Sequence, residues 1–117
     1  MGAGSQTPAQ FAEQVKIVRD ELSARGRDPD TFRIGKRVYV YVDDDAARGH
    51  QRLEDALTRH YGRGGWSEHI LAGPPETCAA GIRTVAEAGA ELILLNSLID
   101  DAQQLERLAA EVIPALR

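Results

Sequence analysis

The chain has 117 residues, of which 43% are hydrophobic and 27% charged, and its net charge is −4. This length predicts one globular domain, and the lack of a basic run argues against a nucleic-acid partner. The single cysteine excludes an internal disulfide and a cysteine-based metal cage. No aliphatic run approaches the roughly 20 residues of a membrane helix. We therefore expect a cytoplasmic protein with neither a membrane nor a nucleic-acid partner.

The amino-terminal part predicts a leader followed by a helix. We expect residues 1–6, "MGAGSQ", to form a disordered leader and residues 7–117 to form a single α/β domain. Thr7 and Pro8 are typical of a helix start. An apolar stripe then follows at helical spacing until Gly26, and it consists of Phe11, Val15, Val18 and Leu22.

The segment from Phe32 to Val42, "FRIGKRVYVYV", carries the clearest strand pattern. Alternate residues place one apolar face, interrupted by Lys36, opposite a face that holds Tyr39 and Tyr41. The second half has no charge on either face, which is typical of a strand buried on both sides in a parallel sheet. The apolar face consists of Phe32, Ile34, Val38, Val40 and Val42.

Three aspartates, Asp43 to Asp45, follow this strand. They are compatible with a metal site, but a helix start is favoured because aspartate caps helices and suits the positive end of the helix dipole. A helix is predicted from Asp45 to Tyr61, followed by a flexible glycine-rich connector. Residues 66–71 are interpreted as a loop that includes at most a short extended piece, with Trp66 as an exposed contact residue.

The rest of the chain predicts a helix, a strand and a closing helix. The helix runs from Pro75 to Ala88, the strand from Glu91 to Ser97, and the last helix from Asp101 to about Leu116. The last helix is expected to turn Leu105, Leu108, Val112 and Leu116 inward. The predicted order is therefore helix-strand-helix-helix-strand-helix, with parallel strands joined by a right-handed crossover. Both strands are apolar in the middle and need neighbours that the chain barely supplies.

Four stretches together resemble the C-terminal end of the luciferase-like monooxygenase family. They are "RDELSARGRDPDTFRI", "VYVYVDDDAAR", "AGPPETCAAGIRTVAEAGAELILLNS" and "QQLERLAAEVIPALR", in the family's order. The resemblance implies the last two strand-helix units of a (β/α)8 barrel, a fold of about 250 residues. The expected fold class is thus α/β, a partial (β/α) barrel.

The same resemblance implies a flavin-dependent oxidoreductase or monooxygenase that uses FMN or a deazaflavin such as coenzyme F420. This chain would be a fragment or truncated relative, incomplete as a catalyst alone, so no catalytic residue is assigned. Barrel sites lie at the carboxyl ends of the strands, which nominates Asn96, Ser97 and Tyr41 for cofactor contact. The alternatives are a turn toward the last helix for Asn96 and Ser97, and a core or interface role for Tyr41.

Two other functions stay open. The chain could be a barrel-derived interaction module without catalysis, a homo-oligomer formed through strand edges and apolar helix faces, with a two-fold dimer as the simplest closed form. It could also be a small α+β ligand-binding domain unrelated to the barrel. No metal site is predicted, because His50, His60 and His69 share no metal-ligand spacing.

Overall fold

The computed structural model describes residues 6–116, so the predicted leader lies outside the described residues except for Gln6. Helices and strands alternate in this part of the chain, and none of its helices is long and apolar enough to cross a membrane. The elements are α1 (Pro8–Ala24), β1 (Gly35–Val42), α2 (Ala46–Tyr61), β2 (Ile70–Gly73), α3 (Pro75–Glu87), β3 (Leu92–Asn96) and α4 (Asp101–Arg107), which continues into a π-helical turn (Leu108–Val112) and a 3-10 turn (Pro114–Leu116).

The three strands form a parallel sheet in the order β2-β1-β3. The predicted α/β class, with parallel strands of a partial barrel, is confirmed. β3 pairs with the first part of β1, Gly35–Tyr39, whereas β2 pairs with the last part, Tyr39–Val42. The short extended piece that the sequence left open after Trp66 is the strand β2, so the observed order has β2 between α2 and α3. A strand of four residues is too short to show a periodic pattern.

The central strand begins later than its sequence pattern suggests. Residues Pro29–Thr31 form a 3-10 turn, and Phe32 lies outside the strand as an exposed side chain. Lys36 does not interrupt the buried face, because its side chain is 3% exposed and lies 5.7 Å above the Phe11 ring. The second half of β1 is buried on both faces, as predicted.

Helices cover both faces of the sheet. One core lies between the even-numbered residues of β1 and the helices α1, α3 and α4 with its π-helical turn, and includes Phe11, Val40, Ile82 and Leu108. A second core lies under α2 and contains Tyr39, Tyr41, Leu53, Leu57 and Trp66. The prediction that Trp66 is an exposed contact residue is wrong. Its side chain is 2% exposed, and its ring packs 4.8 Å from that of Tyr61.

The face under α2 is covered only near the carboxyl end of the sheet. Leu92 and Leu94 lie on this face, beside Gly35 and Arg37 in the register, and are 61% and 57% exposed. β3 is also an edge strand, because its only partner within residues 6–116 is β1. The apolar pattern of this strand thus produces an uncovered surface, which we call the Leu92–Leu94 face.

The last helix buries a different residue from the one expected. Leu108 and Val112 are buried as predicted, but Leu105 is 70% exposed, so its inward assignment is wrong. Gln104 is buried in its place, because its side-chain amide bonds the backbone of β1. A hydrogen-bonding requirement at the end of the strand therefore decides which face of α4 is turned inward.

Candidate functional site

The predicted site residues lie at the carboxyl ends of β1 and β3, where ligands bind in parallel α/β sheets. Tyr41 is next to the last residue of β1, and Asn96 ends β3. The Tyr41 hydroxyl donates to Asp100 Oδ2 at 2.5 Å, and Asp100 follows Ser97 by three residues. The structure therefore brings the end of β1 against the loop after β3.

Asn96 and Ser97 shape that loop through their own hydrogen bonds. Asn96 Oδ1 accepts from the Leu98 backbone N–H at 2.9 Å, and the Ser97 hydroxyl donates to Asp101 Oδ1 at 3.1 Å. Both residues also line a hollow of about 210 Å³, whose other walls are Leu95, Asp101, Leu105 and Leu108. They therefore make the turn toward the last helix and also border a cavity.

The loop after β3 has a strained backbone. Leu98 and Asp100 have φ values of 64° and 55°, in the left-handed region that side-chain-bearing residues seldom adopt. Such residues cost about 1–3 kcal/mol each and cluster at functional sites. Asp100 is held in place by Tyr41 and by Arg52, whose Nη2 donates to Asp100 Oδ2 at 2.8 Å.

A polar hollow of about 200 Å³ opens beside the end of β1. Asp43, buried at its base, accepts from Arg48 at two atoms, at 2.6 and 2.9 Å. Hydrogen bonding from Arg48 lowers the pKa of Asp43 to about 2, so this carboxylate stays ionised. Arg107 donates to Asp44 at 2.8 Å on the other side. The complete lining is Tyr41, Val42, Asp43, Arg48, Arg52, Gln103 and Arg107.

The arginines of this hollow are ion-paired. Arg48 pairs with Asp43, Arg52 with Asp100, and Arg107 with Asp44 and Glu111. The hollow is therefore polar without being strongly cationic, and it suits neutral polar groups better than a highly charged anion. Sequence reasoning missed these arginines. The available signal was the i, i+4 spacing of Arg48 and Arg52, which places them on one side of the helix start.

The hydroxyls of both tyrosines of the central strand are hydrogen-bonded and stay neutral. Burial, followed by the hydrogen bond to Asp100, raises the pKa of Tyr41 above its usual value. Burial and the contact with Tyr61 do the same for Tyr39, whose hydroxyl lies 2.5 Å from that of Tyr61. Tyr41 thus has the core position that the sequence left open, while its ring also forms part of the polar hollow.

The histidines do not join this site. His50 Nε2 lies 3.1 Å from the Ser67 carbonyl oxygen, and His69 lines a separate cavity with residues of β1, β2 and α3. Within residues 6–116, no group of three or more His, Cys, Asp or Glu side chains is arranged to hold a metal ion. Asp45, one of the three consecutive aspartates, caps α2 by accepting from the Arg48 backbone N–H, as the favoured interpretation predicted.

No protein-family model and no curated protein matches the chain. Several solved structures do match it in fold. A coenzyme F420-dependent tetrahydromethanopterin reductase from Methanopyrus kandleri matches at a TM-score of 0.73 and 15% identity, over 95% of this chain. An F420-dependent secondary alcohol dehydrogenase in complex with an F420-acetone adduct matches at a TM-score of 0.77 and 17% identity, over 97% of this chain. A riboflavin lyase with modified FMN and riboflavin matches at a TM-score of 0.72 and 19% identity, over 96% of this chain.

These matches extend over only part of the solved proteins. The chain spans 43%, 41% and 37% of their respective lengths. All are members of the luciferase-like monooxygenase family, so the resemblance predicted from the sequence motifs is confirmed at the level of the fold. The chain therefore has the fold of a part of the luciferase-like monooxygenase barrel.

Proposed function

We propose that this chain is the C-terminal part of a luciferase-like flavin- or deazaflavin-dependent oxidoreductase, supplying strands seven and eight of the barrel. We assign β1 and β3 to those strands because they carry the matching motifs and pair in parallel; β2, on the other edge of β1, is a third strand outside this assignment. By itself the chain is incomplete as a catalyst. The solved relatives are a reductase, an alcohol dehydrogenase and a riboflavin lyase, so the shared fold does not distinguish among these reactions.

The observation that carries the proposal is the uncovered Leu92–Leu94 face at the free edge of β3. In a closed (β/α)8 barrel the eighth strand pairs with the first, and its inner face packs against the barrel interior. Leu92 and Leu94 lie on the face opposite α1, α3 and α4, of which α2 covers only the part near the carboxyl end. Barrel strands outside this 117-residue sequence would cover both the face and the edge.

The cofactor would be FMN or a deazaflavin, which supplies the redox chemistry when bound. The two hollows at the carboxyl ends measure about 200 and 210 Å³, below the roughly 300–1,000 Å³ of complete ligand pockets. The described residues therefore fit one side of such a cofactor and cannot enclose it. Asn96, Ser97 and Tyr41 would contribute polar contacts and position the strained loop. The buried free thiol of Cys78 is compatible with a cytoplasmic location.

The test compares the chain alone with the chain joined to the polypeptide encoded directly upstream of it. Each preparation is titrated with FMN and with coenzyme F420, following cofactor fluorescence. We expect no saturable binding by the isolated chain below the high micromolar range, and binding by the joined protein. A joined, folded protein that binds neither cofactor would overturn the proposal, and tight binding by the chain alone would refute the claim that it is incomplete.

A second function, self-association without catalysis, is favoured by the same uncovered face. Two copies could pair their β3 edges across a two-fold axis and bury Leu92 and Leu94 of each. Light scattering over a concentration series measures this directly. Leu94→Lys should convert a dimer to a monomer, whereas Ile17→Lys on α1, at a residue of similar exposure (59%), should not. A monomer at all concentrations excludes this function.

A further inference from the structure

An open cavity of about 280 Å³ lies between the last turns of α2 and the loop after β3. Its apolar walls are Ala56 of α2 and Leu98 and Ile99 of the loop, and its polar groups are Arg59 and His60. It shares no lining residue with the two hollows at the carboxyl ends of the strands. The proposed oxidoreductase function therefore leaves this cavity unassigned.

The loop holds its two apolar side chains beside α2 through hydrogen bonds of its own. Leu98 N–H donates to Asn96 Oδ1 at 2.9 Å, and Ile99 N–H donates to the Ser97 carbonyl oxygen at 2.6 Å. Leu98 has a φ of 64°, a strained conformation of the kind that clusters at functional sites. Both side chains are half-buried against the core under α2, so each keeps part of its apolar surface for a ligand.

Arg59 brings a positive charge to the cavity. Its side chain is exposed, and it forms no ion pair or hydrogen bond with any other side chain of residues 6–116. The arginines of the polar hollow differ in this respect, because Arg48, Arg52 and Arg107 each pair with a carboxylate. Arg59 is therefore a cation beside apolar surface that is available to an anion from outside the chain.

The carboxylates nearest in the chain to the cavity residues have other partners. Asp55 lies one turn before Arg59 on α2, and its Oδ1 accepts from Gln51 Nε2 at 2.8 Å. Asp100 of the loop pairs with Arg52 at 2.8 Å. Among the described residues no carboxylate lines the cavity, so its charge is positive and does not oppose an anionic ligand.

The chemistry of the lining defines the ligand. A guanidinium presents its N–H groups as a planar fork that matches a carboxylate, and His60 adds an imidazole nitrogen as a further donor. The apolar walls are aliphatic, which suits an aliphatic chain. The volume lies just below the roughly 300–1,000 Å³ of small-molecule sites, so the chain must be short.

We propose that this cavity binds a carboxylate with a short aliphatic chain. Arg59 donates to the carboxylate through two N–H groups, His60 donates a third hydrogen bond, and the chain lies against Leu98 and Ile99. All five lining residues belong to the described part of the chain. The binding site is therefore independent of the proposed oxidoreductase function, and it needs neither a flavin nor a further barrel strand.

The test titrates the full chain with hexanoate and follows the isoleucine δ1 methyl groups by NMR. Hexanoate should shift the Ile99 methyl resonance saturably in the millimolar range, and Ile99→Val identifies that resonance by removing it. Ile17 is 59% exposed on α1, away from the cavity, so its resonance is the internal control and should not move. The absence of a saturable Ile99 shift through the tens-of-millimolar range overturns the proposal.

Two simpler ligands separate the contribution of the charge from that of the chain. 1-Hexanol lacks the carboxylate, so it should bind about tenfold more weakly than hexanoate, the effect of losing hydrogen bonds to a charged group. Acetate lacks the chain, so it should also bind at least about tenfold more weakly, because little apolar surface is buried. Equal binding of hexanoate and 1-hexanol would show an apolar cleft without carboxylate recognition, which contradicts the proposal.

A pair of variants tests the role of Arg59. Arg59→Gln should weaken hexanoate binding about tenfold and leave 1-hexanol binding unchanged, because it removes the charge and keeps part of the apolar stem. Arg27→Gln is the matched control, since Arg27 is exposed in the turn after α1 and forms no ion pair with the described side chains. It should bind hexanoate as the natural chain does. Equal losses in the two variants would mean that only net charge matters, and the site would be refuted.

Discussion

The side-chain amide of Gln104 bonds both backbone groups of Val42, as a neighbouring strand would. Val42 N–H donates to Gln104 Oε1 at 2.7 Å, and Gln104 Nε2 donates to the Val42 carbonyl oxygen at 3.0 Å. β3 pairs with β1 only as far as Tyr39, so Gln104 extends the ladder beyond the end of β3. These two hydrogen bonds hold the last helix against the carboxyl end of β1.

Replacement of Gln104 by alanine should destabilise the protein strongly. It leaves a buried N–H and a buried carbonyl without partners, at roughly 1–3 kcal/mol for each, so we expect a loss of about 2–4 kcal/mol in the free energy of unfolding. Urea unfolding followed by circular dichroism measures it. Gln103→Ala, at the adjacent exposed position, should change stability by less than about 0.5 kcal/mol. Equal effects of the two variants would contradict the role of Gln104.

Gly49 allows the close approach of α2 to the end of β1. A Cβ atom at this position would lie 2.8 Å from Asp43 Cβ and 3.5 Å from the Tyr41 ring. Gly49→Ala should therefore destabilise by about 1 kcal/mol, because overpacking of roughly 1–3 kcal/mol exceeds the gain in helix propensity. Gly64→Ala is the matched control, since a Cβ atom there meets nothing within 4 Å. In thermal unfolding, Gly49→Ala should lower the midpoint temperature, and Gly64→Ala should not.

The ion pair between Asp43 and Arg48 predicts an acid-dependent contribution to stability. The pKa of Asp43 is lowered from 3.8 to about 2 by Arg48, so the unfolded state binds more protons in this range. The contribution is fully present above about pH 4 and is lost as the pH falls toward about 2. Arg48→Gln should therefore be less stable than the natural chain at neutral pH, and the difference should shrink across this window.

The control for this titration is an exposed ion pair. Arg25→Gln removes the partner of Glu21 on α1, where both side chains are more than half exposed. Such pairs contribute about 0–1 kcal/mol, so this variant should follow the stability curve of the natural chain between pH 2 and pH 7. Denaturant midpoints measured over a pH series decide the matter. A stability gap for Arg48→Gln that stays constant down to pH 2 would contradict the assignment.

At alkaline pH the buried tyrosines should limit stability. The pKa values of Tyr39 and Tyr41 are raised above 10 by burial, so their folded-state forms stay protonated when the unfolded chain begins to ionise. The stability that they contribute is present below about pH 10 and is lost as the pH rises above it. Tyr41→Phe should reduce this alkaline loss. It should also remove one component from the phenolate absorbance titration.

The sequence predicted the parts of the fold that follow from regular patterns. The helix start at Thr7 and Pro8, the doubly buried half of β1 and the apolar β3 all arise from local spacing, and the structure has each of them. The uncovered Leu92–Leu94 face was also foreseeable, because an apolar strand with few partners must lack cover somewhere. These features depend on period and composition, which the sequence shows directly.

Features that depend on distant contacts were not predictable in this way. β2 is defined by its pairing with β1 rather than by its own four residues. Gln104 turns inward instead of Leu105 because Val42 lies opposite, which no local hydrophobic pattern indicates. The polar hollow combines residues of β1, α2 and α4, and its arginines become a site only when those elements meet.

Cys78 offers a direct measure of opening of the sheet-helix core. Its thiol is completely buried on α3, donates to the Gly73 carbonyl oxygen at 3.5 Å, and has its pKa raised to about 11 by burial. Because the thiolate is the reactive form, the folded protein should react with thiol reagents at pH 8 only through transient opening. We expect the native reaction to be at least about a thousandfold slower than that of the urea-unfolded chain, given typical stabilities above 5 kcal/mol. The destabilised Gln104→Ala variant should react faster than the natural chain, whereas Gln103→Ala should react at the same rate as the natural chain. Equal rates in all three proteins would show that Cys78 is exposed by a local motion that leaves the Gln104–Val42 contact intact.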